Sequence, residues 1–205
     1  MKLLQGLAGV SRFWRDVILN TPSLWTFVSV QELGVQPSQL QTQLKRSCQA
    51  PLHISFQDRS YYRSNSLMDK LLATIVPTAD RWSTFFLRSP VTTVNKLIGL
   101  KFPNLTKANF HISDLENDHS PSNVTPIRFP VLEDLTIEGA ISCTLHPRFK
   151  VFRLDVHSGP LPVPISSAAL TSLSLVGHTR HWQLERDSLH FHCLETPSLD
   201  VSRPA

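Results

Sequence analysis

The chain has 205 residues, of which 41% are hydrophobic and 18% charged, a composition typical of a globular protein with a sizeable core. Its net charge of +4 is spread along the chain without a basic tract, which argues against nucleic-acid binding. Apolar runs are too short for a membrane span or a signal peptide, and three distant cysteines form no disulfide framework. We therefore expect a cytoplasmic or nuclear protein that binds neither nucleic acid nor membrane.

The first apolar pattern predicts a short helical segment at the start of the chain. One helical face is formed by residues at three- and four-residue spacing: Leu4, Leu7, Val10, Trp14 and Ile18. The run Asn20-Thr21-Pro22-Ser23 ends it, and Leu24 and Trp25 follow at once. A helix of this length is marginal alone, so it must pack on a partner or on the local core.

Residues 10–25 carry a family resemblance. Val10-Ser11-Arg12-Phe13-Trp14-Arg15-Asp16-Val17-Ile18-Leu19-Asn20-Thr21-Pro22-Ser23-Leu24-Trp25 resembles the second half of an F-box, in the form common in fungal, basidiomycete-type F-box proteins. The Leu-Pro opening and first helix of that motif are not found, so the resemblance predicts a partial F-box over residues 1–30 of a fragment. It implies docking on a Skp1-like adaptor of a cullin-type ubiquitin ligase. The residues expected to face the adaptor, or else the local core, are Leu4, Leu7, Val10, Trp14, Ile18, Leu24 and Trp25.

Residues 31–80 predict a helix, a strand and a second helix. Leu40 and Leu44 share one face of a helix over 37–46, and the alternation of residues 51–56 predicts a half-buried strand. Ser66 opens an amphipathic pattern that Pro77 stops. Residues 47–56 also resemble the S-x-x-x-P-L-x-L-x-L stretch that follows the F-box in these fungal proteins.

One phrase recurs over residues 81–205: an apolar residue, two others, an apolar residue, one other, an apolar residue. It reads Trp82-x-x-Phe85-x-Leu87, Leu105-x-x-Ala108-x-Phe110, Leu132-x-x-Leu135-x-Ile137, Phe149-x-x-Phe152-x-Leu154, Leu170-x-x-Leu173-x-Leu175 and, with a central proline, Leu194-x-x-Pro197-x-Leu199. Successive phrases start 23, 27, 17, 21 and 24 residues apart, scattered around the roughly 20–29 residues of a leucine-rich repeat.

These phrases predict an α/β fold. Each phrase supplies one short strand whose inward face can be buried only by stacking on its neighbours. We therefore expect a degenerate leucine-rich-repeat-like solenoid of parallel strands with helical or irregular connections, preceded by the F-box-like segment. A β-sandwich built from the same strands is the alternative.

No catalytic motif is found, since the chain has neither Gly-x-Ser-x-Gly nor a Gly-rich phosphate loop. The densest cluster of potential metal ligands is His178, His181, His190, His192 and Cys193, whose spacing matches no zinc motif. The sequence thus predicts no enzyme, no cofactor and no metal.

We expect instead a substrate-recognition subunit of an SCF-type ubiquitin ligase that binds a protein target. The alternative is a leucine-rich-repeat scaffold or binding protein with no ubiquitin link. Strand alternation places seven candidate target-facing residues: Thr84, Phe86, Asn109, Thr136, Arg153, Asp155 and Ser174.

Overall fold

The computed structural model is built around one open, eight-stranded parallel sheet. The structure describes residue 6 and residues 9–31, 35–58, 66–97, 100–112, 122–123, 130–138, 141–142, 150–156, 165–166, 170–177, 189–190 and 195–201. The strands of the sheet are β1 (Phe27–Gln31), β2 (Leu52–Gln57), β3 (Trp82–Ser89), β4 (Lys107–Ile112), β6 (Asp134–Glu138), β8 (Val151–Val156), β10 (Ser172–Gly177) and β12 (Thr196–Val201). They lie side by side in chain order. Two short parallel pairs join β5 (Ser122–Asn123) to β7 (Ile141–Ser142) and β9 (Ile165–Ser166) to β11 (Leu189–His190).

Four α-helices lie wholly within the described residues: α1 (Arg12–Asn20), α2 (Pro37–Arg46), α3 (Ser66–Ile75) and α4 (Val91–Leu97). The Ser11 side chain caps α1 by accepting a hydrogen bond from the Trp14 amide at 3.2 Å. The helices expected over 37–46 and from Ser66 are confirmed, with Leu40 and Leu44 buried in the first. Helix α3 ends at Ile75, and the chain continues through Pro77 as a 3₁₀ helix, Val76–Arg81. A second 3₁₀ helix, Pro22–Trp25, links α1 to β1.

Every repeated phrase coincides with one strand of the sheet. The fourth and sixth residues of the first five phrases point to the core and are buried, as Phe85 and Leu87 are. All strand pairings within the described chain are parallel, so the β-sandwich alternative, which needs antiparallel strands, is wrong. The coarse prediction, an α/β fold with a parallel sheet, is confirmed.

A backbone ladder stacks the phrases just before their strands. In each of the five phrases after the first, the second residue donates its N–H to the carbonyl of the second residue of the preceding phrase, at 2.8–3.0 Å. This ladder runs through Ser83, Thr106, Glu133, Lys150, Thr171 and Glu195. It satisfies backbone groups that would otherwise be left unpaired at the turns into the strands.

The sheet begins before the first predicted phrase. Trp25-x-x-Val28-x-Val30 has the same pattern, and Thr26 accepts a hydrogen bond from the His53 amide at 2.9 Å, as the ladder residues do. Strands β1 and β2 therefore share the sheet and the core with the later strands. The domain boundaries at residues 30 and 80 remain a prediction.

The core lies on one side of the sheet. The buried residues of α2, α3 and α4 belong to the same hydrophobic cluster as the inward residues of the strands, so these helices cover that face. Four aromatic rings of the core form one group. The Trp82 ring centroid lies 4.7 Å from that of Phe85 and 5.3 Å from that of Phe102, and the Phe85 and Phe110 centroids are 5.8 Å apart.

Candidate functional site

The face of the sheet opposite the core, called here the open face, carries three rows of side chains in register. The first row is Phe27, His53, Thr84, Lys107, Asp134, Val151 and Ser172. The middle row is Ser29, Ser55, Phe86, Asn109, Thr136, Arg153 and Ser174. The last row is Gln31, Gln57, Arg88, His111, Glu138, Asp155 and Val176. Most of these side chains are half-buried, and at about 4.8 Å between strands the rows extend about 29 Å.

All seven predicted target-facing residues lie on the open face. Five of them form most of the middle row, Thr84 stands in the first row, and Asp155 in the last. Thr84 Oγ1 hydrogen-bonds His53 Nδ1 at 3.0 Å, and Arg153 is exposed. The structure brings the seven residues together, and their contact with a target stays a prediction.

The last row contains polar residues that the sequence prediction missed. Arg88, His111 and Glu138 stand in neighbouring strands, and the His111 ring pairs with the Glu138 carboxylate. In the first row, Lys107 Nζ pairs with Asp134 Oδ2 at 2.5 Å. A signal was present, because each of these last-row residues follows its phrase start by six positions, which continues the strand alternation by one step.

Exposed apolar side chains concentrate near the start of the chain. Six of the seven exposed large hydrophobic residues among those described lie between positions 10 and 27: Val10, Phe13, Trp14, Leu19, Leu24 and Phe27. Val10 and Phe13 are 70% and 69% exposed, and the Phe13 and Trp14 rings meet edge to face at 5.7 Å. Such a concentration of exposed apolar residues is typical of an interaction surface.

The residues expected to face the adaptor divide into two groups. Val10, Trp14 and Leu24 are exposed on or beside α1, whereas Ile18 and Trp25 are 3% and 5% exposed. Leu4 and Leu7 lie outside the described residues.

The buried Trp25 is held on several sides. Its Nε1 donates to the Ile18 carbonyl at 2.7 Å, and the Arg46 guanidinium lies 4.6 Å from its ring centroid. Gln43 Nε2 donates to the carbonyls of Trp25 and Phe27 at 3.3 and 2.7 Å. Ile18 and Trp25 thus join α1 to α2 and to the first strand of the sheet.

No group of three or more potential metal ligands occurs within the described ranges. Of the histidine cluster predicted as the densest, only His190 falls in those ranges, and the rest lie outside them. No helix in the part of the chain that the structure describes is long and apolar enough to cross a bilayer. Comparison with family models, with curated protein sequences and with solved structures found no match.

Proposed function

We propose that the chain is a protein-binding module whose repeats form a degenerate leucine-rich-repeat-like solenoid. One observation carries this proposal: six repeated phrases become six consecutive parallel strands that leave one long, polar face open. Stacked repeats of this kind present extended surfaces to partners, and among the described elements the helices α2, α3 and α4 pack on the opposite face of the sheet. The half-exposed rows are the surface for the target.

The open-face proposal is tested by a bulky substitution at its centre. Thr136 lies in the middle row, so Thr136→Trp places a large ring where a target would dock. Proteins cross-linked in cells to the original chain and to this variant are identified by mass spectrometry. We expect Thr136→Trp to lose at least one partner that the original chain captures.

The matched control is Thr42→Trp, which makes the same change at an exposed position of α2, off the sheet. It should retain the partners. If circular dichroism shows that Thr136→Trp and the original chain are both folded and their partner sets are identical, the open face is refuted as a binding surface.

We further propose that the module recruits its target to an SCF-type ubiquitin ligase through residues 10–25. The likeness of this segment to the second half of an F-box supports the proposal. So does the exposure of Val10, Phe13 and Trp14, whose apolar side chains are available for an adaptor. A Skp1-like protein is the expected adaptor.

The alternative function is a leucine-rich-repeat scaffold without a ubiquitin link. One observation favours it: the side chains of Ile18 and Trp25 are buried within the chain, and Trp25 Nε1 donates a hydrogen bond to the Ile18 carbonyl. Two of the residues with an expected adaptor role therefore already have a local packing role.

Adaptor binding separates these two functions. The dissociation constant of the purified chain for a Skp1-like adaptor is measured by calorimetry, with Trp14→Ala and Phe27→Ala as variants. If residues 10–25 dock, Trp14→Ala weakens binding by about tenfold or more, because a buried interface Trp is commonly a hot spot. Phe27→Ala also removes an exposed aromatic ring, but outside this segment, and should bind normally. A folded chain with no measurable adaptor affinity would leave the scaffold function.

A further inference from the structure

The charges of the open face are unevenly distributed along the sheet. In strands β1 to β4 the three rows contain two permanent cations, Arg88 and Lys107, two histidines and no carboxylate. In β6, β8 and β10 they contain three carboxylates and one cation, Arg153. The open face therefore has an acid-free half and an acidic half, which meet between β4 and β6.

Cross-strand pairs neutralise part of this boundary. Lys107 pairs with Asp134, and His111 pairs with Glu138. Arg88 is different, because no carboxylate of the described chain lies within ion-pair distance of it, and its Nε has no hydrogen-bond partner there. Within the part of the chain that the structure describes, Arg88 is thus the cation of the acid-free half that has no carboxylate partner.

The neighbours of Arg88 suit an anionic group. Gln57 flanks it in the last row, where its Nε2 donates to Ser55 Oγ at 3.4 Å and keeps a second N–H, while Phe86 lies two residues earlier on the same strand as Arg88. A guanidinium presents a planar fork of donors that matches a carboxylate. The half-exposed Phe86 ring adds an apolar contact beside this fork.

We propose that the acid-free half of the open face binds a short acidic segment of a partner protein, with one partner carboxylate paired to Arg88. The inference rests on the proposed protein-binding function and names the chemistry of the partner. Charge complementarity supports it, since a basic segment would be repelled by Arg88. From β1 to β4 is about 14 Å, the length of about four extended residues. A long polyanion such as a nucleic acid would extend over the three carboxylates of the acidic half and be repelled by them.

Labelled peptides test the inference directly. Three fluorescein-labelled twelve-residue peptides share the same leucine and serine positions, and their remaining positions are all Glu, all Gln or all Lys. A twelve-nucleotide single-stranded DNA is the fourth probe. Affinity for the full chain is measured by fluorescence anisotropy. We expect the Glu peptide to bind most tightly and the DNA more weakly than the Glu peptide.

Substitutions at Arg88 locate the contact. Arg88→Gln should lower the affinity for the Glu peptide by about tenfold, which corresponds to the loss of one charge-assisted hydrogen bond. Arg88→Lys should restore only part of this affinity, because an ammonium lacks the planar fork of donors. The matched control is Lys45→Gln, which makes the same change in charge at an exposed position of α2 and should alter affinity less than twofold. Thermal unfolding verifies that each variant is folded.

Several results would overturn the inference. They are equal binding of the Glu, Gln and Lys peptides, tighter binding of the DNA, or equal losses of Glu-peptide affinity in Arg88→Gln and Lys45→Gln. If one of these occurs while Thr136→Trp still loses its cross-linked partner, the open face binds protein of a different chemistry and only the acidic partner is refuted. If Thr136→Trp keeps every partner, the proposed function itself fails.

Discussion

The guanidinium of Arg81 links the end of α2 to the beginning of β3. Its Nη2 donates to Ser47 Oγ at 2.7 Å and to the Ala50 carbonyl at 2.9 Å, and its Nε donates to the same carbonyl at 3.3 Å. Ser47 is fully buried, and the following residue, Cys48, has a positive φ of 49°, a conformation common just after a helix. Arg81 therefore satisfies acceptors that the turn after α2 would otherwise leave unpaired.

We predict that Arg81→Met lowers the free energy of unfolding by about 2 kcal/mol, because it keeps most of the apolar stem and removes hydrogen bonds from a charged donor to the buried Ser47 and the half-buried Ala50. Urea denaturation followed by circular dichroism measures this change. Arg12→Met is the control, since Arg12 is exposed on α1 and its loss should cost less than about 0.5 kcal/mol. Equal midpoints for the two variants would contradict the structural role of Arg81.

At the scale of elements, local periodicity predicted α2, α3 and β2, and the repeated phrase predicted six later strands. These elements depend on which residues of one segment point inward, which a periodic pattern reveals. The first strand, β1, was missed although Trp25-x-x-Val28-x-Val30 has the same phrase. Trp25 ends the F-box-like segment, and an apolar stripe does not distinguish packing on a partner from packing on the chain's own sheet.

The candidate site was predictable in part for the same reason. Alternation alone places Phe86, Asn109 and Thr136 opposite the core, because successive side chains of a strand point to opposite faces. The pairs of the last row, such as His111 with Glu138, depend on the register between strands. The phrase position gives the row of each residue but not which strands are neighbours, so the division of the open face into an acid-free and an acidic half emerges only from the assembled sheet.

The sheet is also unusual among parallel sheets. Parallel strands covered on both faces read as continuous apolar runs. Here each strand alternates, as in β4, where Ala108, Phe110 and Ile112 are buried and Asn109 and His111 are half-exposed. One face of the sheet is therefore adapted to solvent or to a partner, which agrees with the proposed binding function.

At the scale of the whole molecule, the strands of the eight-stranded sheet pair in chain order, so each is hydrogen-bonded only to its neighbours in that sheet. In such an array, stability is close to a sum of local and nearest-neighbour contributions, and a local defect has a local effect. Replacing an inward residue far from the aromatic group tests whether a defect in one strand stays local. Leu173 of β10 is 6% exposed and stands beside Phe152 of β8 in the core.

We predict that Leu173→Ala, which leaves a cavity costing about 2–5 kcal/mol, speeds native-state amide hydrogen exchange in β8 and β10 while β2 and β3 keep their protection. Phe85→Ala, in β3, should show the reverse pattern, because its cavity opens among Trp82 and Phe102. Exchange is followed by NMR or mass spectrometry at low denaturant. A uniform loss of protection in both variants would mean that the sheet unfolds as one cooperative unit, and would contradict an array stabilised by nearest-neighbour contacts.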